Sequence, residues 1–289
     1  MKKIKLYIPL VLLLTISFYT INKTTINMKN IDPIMKQIEN SKDKYNVTPT
    51  NATIKNNTII PGIEGIEIDY GKSYKEMKEY GTYNEALTVM KEVKPTISID
   101  DNYDKYIISG NKDKKEVALI FKVNNDINPN NVIDILKEKN IKATFFIDGT
   151  YLEENINIIR RITNQELEIL SYNNEFNSSL IKTSISYLET ISKNNTKYCY
   201  TEKKNNDILN VCKKLKKHTV IPNYVISNNL YKNIKNNLSN GMMFTIEINS
   251  YNEKWLPIVI DYIESKGYTL VPLNKLLRED WKKIYKMIW

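Results

Sequence analysis

The stretch Asn140-Ile-Lys-Ala-Thr-Phe-Phe-Ile-Asp-Gly-Thr-Tyr-Leu-Glu-Glu-Asn155 decides the fold of this chain. It contains a short, mostly apolar run, Ala143–Ile147, of the length of a buried strand, and a segment of helical period over 152–164 follows it. A buried strand followed by a helix is the repeating unit of a parallel sheet. The stretch therefore predicts a βα unit.

The same alternation of strands and helices runs from Glu116 to the carboxyl terminus. The pattern predicts an α/β fold, a distorted seven-stranded (β/α) barrel, whose functional residues would lie at the carboxyl ends of the strands. The predicted strands are 117–122, 143–147, 167–170, 198–200, 219–221, 243–246 and 269–271. The predicted helices are 129–139, 152–164, 179–193, 207–217, 230–238, 253–266 and 274–288.

Three segments of this framework resemble the NodB-type polysaccharide deacetylases. The quoted stretch resembles the second strand and helix of that family, and Glu116-Val-Ala-Leu-Ile-Phe121 resembles its first strand. The segment from Leu256 to Leu277 resembles its closing helix, last strand and final helix start. The resemblance implies a divalent-metal hydrolase that removes acetyl groups from N-acetylated sugars, with aspartate and histidine residues holding the metal and moving protons.

The residues at the family's functional positions have other chemistry. The resemblance places Lys122 where the family has its catalytic base and Val123 where it has an aspartate ligand. Tyr172 and Phe176 take the places of the two ligand histidines, and Glu247 that of the acid histidine. An ammonium group binds no cation and a valine side chain has no donor atom. We therefore predict a divergent family member with no catalytic residue, metal ligand or cofactor at these positions.

The chain contains one histidine, His218, at the start of the predicted fifth strand. This position faces the amino-terminal side of a barrel, away from the expected chemistry. One histidine cannot supply two ligands and an acid, whatever the alignment.

Four acids beyond strand ends, Asp126, Asp148, Glu175 and Glu247, allow an alternative in which oxygen ligands hold Mg²⁺, Mn²⁺ or Ca²⁺. The competing interpretation is that they are solvated loop acids, or that Glu247 forms an ion pair with Lys122 across the mouth of the barrel.

Aromatic side chains at the same mouth offer a different function. Tyr172, Phe176 and Trp255 are predicted there, and aromatic faces stack on sugars while polar groups bind hydroxyls. This suggests a ligand site of Asp148, Tyr172, Glu247 and Trp255. The alternative is that the aromatic side chains only fill the loop and helix packing.

The amino terminus predicts export. Lys2, Lys3 and Lys5 precede an apolar run, Leu6 to Ile21, as in a signal-anchor over 1–25 that leaves the rest of the chain outside the cell membrane. Cleavage as a signal peptide is the alternative. We further predict a polar spacer over 26–58, a small subdomain or cap over 59–112 and the barrel over 113–289.

The net charge of +9 does not indicate nucleic-acid binding, because the 42 basic residues are interleaved with 33 acidic ones along the whole chain. Cys199 and Cys212, 13 positions apart, fit no metal motif and are interpreted as two partly buried thiols.

The leading hypothesis is a bacterial pseudoenzyme, tethered outside the membrane, that binds peptidoglycan or another envelope glycan, or an envelope enzyme. The alternatives are a divergent deacetylase acting on N-acetylated sugars with a divalent metal, and a scaffold or regulator of an active deacetylase.

Overall fold

The computed structural model describes Thr15, residues 32–169 and residues 178–280. Apart from Thr15, the predicted signal-anchor over 1–25 lies outside the described residues. Among the residues that are described, no helix combines the length and the apolar character that a membrane crossing requires.

Helices and strands alternate through most of the described chain. The strands are β1 Thr53–Lys55, β2 Thr58–Ile60, β3 Gly65–Ile68, β4 Met90–Val93, β5 Tyr106–Ile107, β6 Glu116–Val123, β7 Thr144–Ile147, β8 Glu166–Ile169, β9 Tyr198–Tyr200, β10 His218–Val220, β11 Tyr224–Ile226, β12 Met243–Ile246 and β13 Thr269–Leu270. The helices are α1 Pro33–Asn40, α2 Lys42–Tyr45, α3 Tyr70–Tyr80, α4 Asn130–Glu138, α5 Gly149–Glu154, α6 Ile156–Arg161, α7 Ser178–Ser192, α8 Asn206–Lys214, α9 Leu230–Asn237, α10 Ser250–Ser265 and α11 Leu273–Leu276. The predicted α/β fold is confirmed.

The described chain divides into two compact units, one of residues 32–49 and 65–93 and one of residues 50–64, 94–169 and 178–280. The segment 59–112, which the sequence suggested as a subdomain, is therefore divided between the two units. Its central part, 65–93, belongs to the first unit and its two ends belong to the second.

The first unit contains helices α1 to α3 and the antiparallel pair β3–β4. The segment 26–58, predicted as a polar spacer, contains α1 and α2. Asp32 caps α1 by accepting a hydrogen bond from the backbone N–H of Ile34 at 2.9 Å, and Pro33 occupies the first turn. Met35 and Ile38 are buried, and this short apolar face is what fixes the helix.

The second unit contains two sheets whose strands are mainly parallel. One sheet has the order β11-β12-β6-β7-β8, with β13 pairing the start of β6, and the other has the order β1-β2-β5-β10-β9. The pairs among β6 to β12 are parallel, as expected for repeated βα units. The carboxyl ends of these strands therefore meet at one face of the unit.

One bent strand joins the two sheets. Only three residues separate β10 from β11, too few for a crossover between parallel strands, so β11 continues the direction of β10. β10 pairs with β9 and β5, whereas β11 pairs with β12. Asn223 fixes the bend, because its side chain donates to Ile108 O at 2.9 Å and accepts from Met243 N at 2.8 Å. Strand β10 was predicted from the sequence, whereas β11 was not.

Side chains alternate between the inside and the outside of this barrel-like wall. In β6, Ala118 and Ile120 belong to an inner apolar cluster, and Leu119 and Phe121 belong to the cluster that packs against the helices. The same period assigns the inner positions of the other strands.

Glu168 links the wall between β8 and β9. These neighbouring strands lie in different sheets, yet the Glu168 carboxylate accepts hydrogen bonds from Lys197 N, at 2.8 Å, and from Tyr198 N, at 3.0 Å. A side chain thus satisfies backbone donors that a strand ladder would otherwise satisfy. Glu168 is 1% exposed, and this burial, with the neighbouring Glu166 carboxylate, raises its pKa well above its usual value.

Glu166 ties the same strand to the carboxyl-terminal helix. Its carboxylate accepts from Thr144 Oγ1 at 2.7 Å and from Asn274 N, in the first turn of α11, at 3.0 Å. Loss of hydration raises the pKa of Glu166 to about 7 despite these bonds.

We expect Glu166 to make stability depend on pH. Because its pKa is higher in the folded chain than in the unfolded one, the folded state holds more protons between about pH 4.5 and pH 7, and stability falls as pH rises through that range. Glu166→Gln should remove about 2 kcal/mol of this fall, since each pKa unit corresponds to about 1.4 kcal/mol and some solvent access remains. Urea unfolding of both proteins at pH 5 and pH 7 measures it, and parallel pH profiles would contradict the assignment.

Cys199 and Cys212 form a disulfide, so their interpretation as two thiols is wrong. Helix α8 packs beside β9 and brings the two Cα atoms to 6.3 Å, within the range that a disulfide spans. Both residues are buried with Ile208 in a small apolar cluster. The bridge closes the loop that carries Thr201 and Glu202 from the end of β9.

We expect removal of this disulfide to lower the free energy of unfolding by about 2–4 kcal/mol, the typical effect for a loop of this length. The measurement compares urea unfolding of the oxidised parent, the reduced parent and the double variant Cys199→Ala/Cys212→Ala. The reductant should shift only the parent. A parent chain that reacts with two equivalents of a thiol reagent after denaturation without reductant would contradict the bridge.

Candidate degenerate active site

Two neighbouring residues at the end of β6 point in opposite directions. Lys122 follows Ala118 and Ile120 on the inner side, so its side chain reaches the mouth of the barrel. Val123 is fully buried in the outer cluster, against the helices. The position that the resemblance assigns to the catalytic base therefore holds an ammonium group, and the position that it assigns to a metal ligand holds an apolar side chain that faces away from the mouth.

Lys122 forms an ion pair with Glu202, which lies two residues beyond β9. Its ammonium group also lies 6.0 Å from the centroid of the Tyr200 ring. The predicted ion pair of Lys122 with Glu247 is therefore not the one that forms. The disulfide-closed loop of Glu202 supplies the carboxylate.

Tyr200 lies under this ion pair and is fully buried. Its hydroxyl donates a hydrogen bond to Thr245 Oγ1 at 3.0 Å, across the interior of the barrel. Burial raises the pKa of Tyr200, and the Glu202 and Glu247 carboxylates raise it further because they oppose a phenolate. The phenol therefore stays neutral at physiological pH and acts as a fixed hydrogen-bond donor.

Sequence reasoning missed Tyr200 and Glu202 as residues of the mouth. The period of two along β9 was the available signal, because Tyr198 and Tyr200 occupy the inner cluster and Glu202 continues their series. Glu247 does lie at this end of the barrel. The register that pairs Ile246 with Phe121 brings the next residue, Glu247, beside Lys122.

Asp148 has a structural partner. It is 8% exposed and caps α5, with its Oδ1 accepting from Thr150 N at 2.9 Å and from Thr150 Oγ1 at 2.5 Å. Asp126 is an exposed loop residue, and Glu175 lies outside the described residues. Within the described ranges, no three or more His, Cys, Asp or Glu side chains are grouped so that they could hold a metal ion.

Of the three aromatic residues predicted at the mouth, Trp255 falls within the described residues. Tyr172 and Phe176 lie outside the described residues. Trp255 lies in the second turn of α10, and its ring centroid is 6.0 Å from that of Tyr231 in α9 and 6.4 Å from that of Tyr251. These contacts place Trp255 on the helical flank of the barrel, because α9 and α10 pack on its outside.

His218 is the first residue of β10 and therefore lies at the opposite end of the strands from Lys122. Its ring stacks on Tyr103, with centroids 4.3 Å apart, and its Nε2 lies 3.9 Å from Asp100 Oδ1. It is 6% exposed, beside a cavity of about 460 Å³ at the amino-terminal side of the strands. This imidazole cannot reach a substrate at the mouth.

The divalent metal that the resemblance implies does not fit the described residues of the mouth. A cation there would lie beside the Lys122 ammonium group, which repels it, and Val123 offers no ligand atom. The arrangement can hold polar groups through the Glu202 and Glu247 carboxylates.

Residues 109–238 match the family model of polysaccharide deacetylase, and the fold just described agrees with it. Residues 109–238 are thus similar to the polysaccharide deacetylase domain that the sequence predicted. At the mouth, this domain lacks the family's chemistry at the described motif positions.

Two curated proteins are similar to parts of this chain. The uncharacterized protein YlxY of Bacillus subtilis is 32% identical over 169 residues, which cover 57% of this chain and 52% of YlxY. The peptidoglycan-N-acetylglucosamine deacetylase of Bacillus cereus is 43% identical over 61 residues, 21% of this chain and 22% of that protein. The chain thus spans about half or less of the length of these relatives.

A solved structure shares the fold over most of this chain. It is wild-type BA3943 of Bacillus anthracis, described as a CE4 family pseudoenzyme, with a TM-score of 0.65 and 20% identity. The superposition covers 86% of this chain and 96% of BA3943.

We expect the Glu202 and Glu247 carboxylates to make a negative charge at position 122 unfavourable and a neutral side chain tolerable. Lys122→Met should change the free energy of unfolding by less than about 1 kcal/mol, because the ion pair is partly exposed and the methionine fills a similar volume. Lys122→Glu should cost more than about 2 kcal/mol, because it places a third carboxylate beside Glu202 and Glu247. Equal unfolding midpoints for the two variants at pH 7 would show that the side chain is free in solvent.

Proposed function

We propose that this protein is a non-catalytic polysaccharide deacetylase-like protein that is tethered outside the cell membrane and binds cell-wall glycan. The observation that carries the proposal is the Lys122–Glu202 ion pair at the position of the family's catalytic base. An ammonium group held by a carboxylate does not accept the proton of an attacking water molecule.

The histidine count supports the loss of catalysis independently of the mouth geometry. The whole sequence contains one histidine, and the structure puts it at the amino-terminal end of β10. The family mechanism needs several imidazoles at the other end of the strands. No part of the chain, within or outside the described ranges, supplies them.

The extracellular location is supported by two features. The basic start and the apolar run from Leu6 to Ile21 are typical of an export signal. The Cys199–Cys212 disulfide agrees with an oxidising compartment, because the cytosol keeps most thiols reduced. The two features are independent, since one lies in the leader and the other in the folded domain.

The relatives support an envelope glycan as the ligand. One of them is named for its action on the N-acetylglucosamine of peptidoglycan, and a protein with the same fold is described as a pseudoenzyme. A protein that has the fold of sugar-modifying enzymes but does not turn over a substrate is suited to binding the glycan. The competing partner is an envelope enzyme, either bound or regulated by this chain.

We expect the full-length chain, purified in mild detergent, to carry less than about 0.1 equivalent of zinc, manganese or iron and to release no acetate from chito-oligosaccharides or peptidoglycan. Metal analysis and an acetate assay provide the measurements, and an active deacetylase of the family is the positive control. A stoichiometric metal that survives gel filtration, together with acetate release, would establish the divergent deacetylase instead.

Binding is tested by sedimenting the same preparation with insoluble peptidoglycan. Retention in the pellet supports the glycan ligand. If the chain stays in the supernatant and instead co-purifies with a deacetylase from solubilised membranes, the partner is an enzyme and the glycan proposal is wrong.

A further inference from the structure

Helix α10 has two apolar faces. Leu256, Val259, Ile260 and Ile263 point into the core and are buried. A second row follows steps of four, three and four residues along the helix, which places its members on one stripe beside the buried face. We call this row, together with Tyr231 of α9, the α9–α10 ridge; its members are Tyr231, Tyr251, Trp255, Ile258 and Tyr262.

The rings of the ridge are in contact with one another. The centroid of Tyr231 lies 6.0 Å from that of Trp255 and 5.3 Å from that of Tyr262, and Tyr251 lies 6.4 Å from Trp255. The Lys266 ammonium group lies 5.4 Å from the centroid of the Tyr262 ring and so occupies part of its surroundings. Tyr231 contacts both Trp255 and Tyr262. We therefore consider Tyr251 and Trp255 as the rings that a ligand would contact.

The ridge is exposed over a small area. Tyr251 is 44% exposed and Ile258 is 48% exposed, while the other members are partly buried. A stable protein–protein interface needs roughly 600 Å² from each partner, far more than these two side chains offer. The area suits a small ligand, or one segment of a polymer, better than a second copy of this chain.

Neutral polar groups lie at one end of the ridge. The loops that begin α9 and α10 are joined by a hydrogen bond from Asn249 Nδ2 to Ser227 O at 2.9 Å. Asn228 and Asn229 are exposed in the first of these loops, directly before Tyr231. Aromatic faces next to amide donors and acceptors, with no charged member among them, are the combination that binds neutral, hydroxyl-rich rings.

We propose that the α9–α10 ridge and the adjoining 227–229 loop bind pyranose rings of an uncharged stretch of envelope glycan. Tyr251 and Trp255 would stack on the apolar faces of the sugars. Asn229 Nδ2 donates to Asn228 Oδ1 at 2.9 Å, and the other two amide atoms, Asn228 Nδ2 and Asn229 Oδ1, would bind the sugar hydroxyls. The inference rests on the proposed glycan binding but relocates it, from the mouth beside Lys122 to the helical flank. It also assigns Trp255 a ligand contact outside the old active site.

The test uses the full-length chain in mild detergent, with insoluble peptidoglycan and soluble chitotetraose as probes. Tyr251→Ala should weaken retention about 5- to 10-fold, the effect of losing one stacked ring, and Tyr251→Phe should retain most of the binding. Tyr187→Ala, at an exposed tyrosine of α7, is the matched control and should bind like the parent. Because Tyr251 is 44% exposed, its substitution should shift the unfolding midpoint only slightly.

The outcomes separate this inference from the proposed function. If the parent binds and Tyr251→Ala binds equally well, while Lys122→Met or Glu247→Gln loses retention, the ligand sits at the mouth and the ridge assignment is wrong. If the parent binds neither probe, glycan binding itself fails. Sedimentation velocity of the parent and of Ile258→Glu adds a third outcome, since a dimer that this substitution dissociates would make the ridge a protein interface.

Discussion

The alternation of side chains along the parallel strands is the constraint on which the rest of this molecule depends. In β6 it sends Lys122 inward and Val123 outward, so that one of two adjacent motif positions lies in the mouth and the other lies in the core. The same period brings Tyr200 under the ion pair and aligns Glu202 with it. A change of residue type at these positions therefore alters the site without disturbing the wall that carries it.

Two buried carboxylates connect neighbouring elements inside the wall. Glu168 replaces a missing ladder between β8 and β9, and Glu166 holds the start of α11. Both carry raised pKa values because the wall removes their hydration. The interior of such a barrel is usually filled by branched apolar side chains, which stabilise it. Glu166 and Glu168 contribute less stability than apolar residues would, but their hydrogen bonds specify which elements are connected.

The framework could be predicted from the sequence, because buried strands and amphipathic helices leave strong periodic signals. The site was predicted in part: Lys122 and Glu247 were assigned to the mouth, but their partners were not. The partner of Lys122 comes from a loop beyond β9, and no local pattern reports which of two carboxylates an ammonium group contacts. Trp255 was misplaced because a helix start near a strand end gives no information on which face its second turn presents.

The bent strand formed by β10 and β11 has a consequence for how the chain can misfold. Its amino-terminal half is bonded to β9 and β5, and its carboxyl-terminal half is bonded to β12, with Asn223 fastened at the junction. Sliding this strand along any one neighbour would break the pairing with the other two at the same time. A shift in strand register, to which short strands are prone, would therefore require several strand pairs to separate together and not one pair alone.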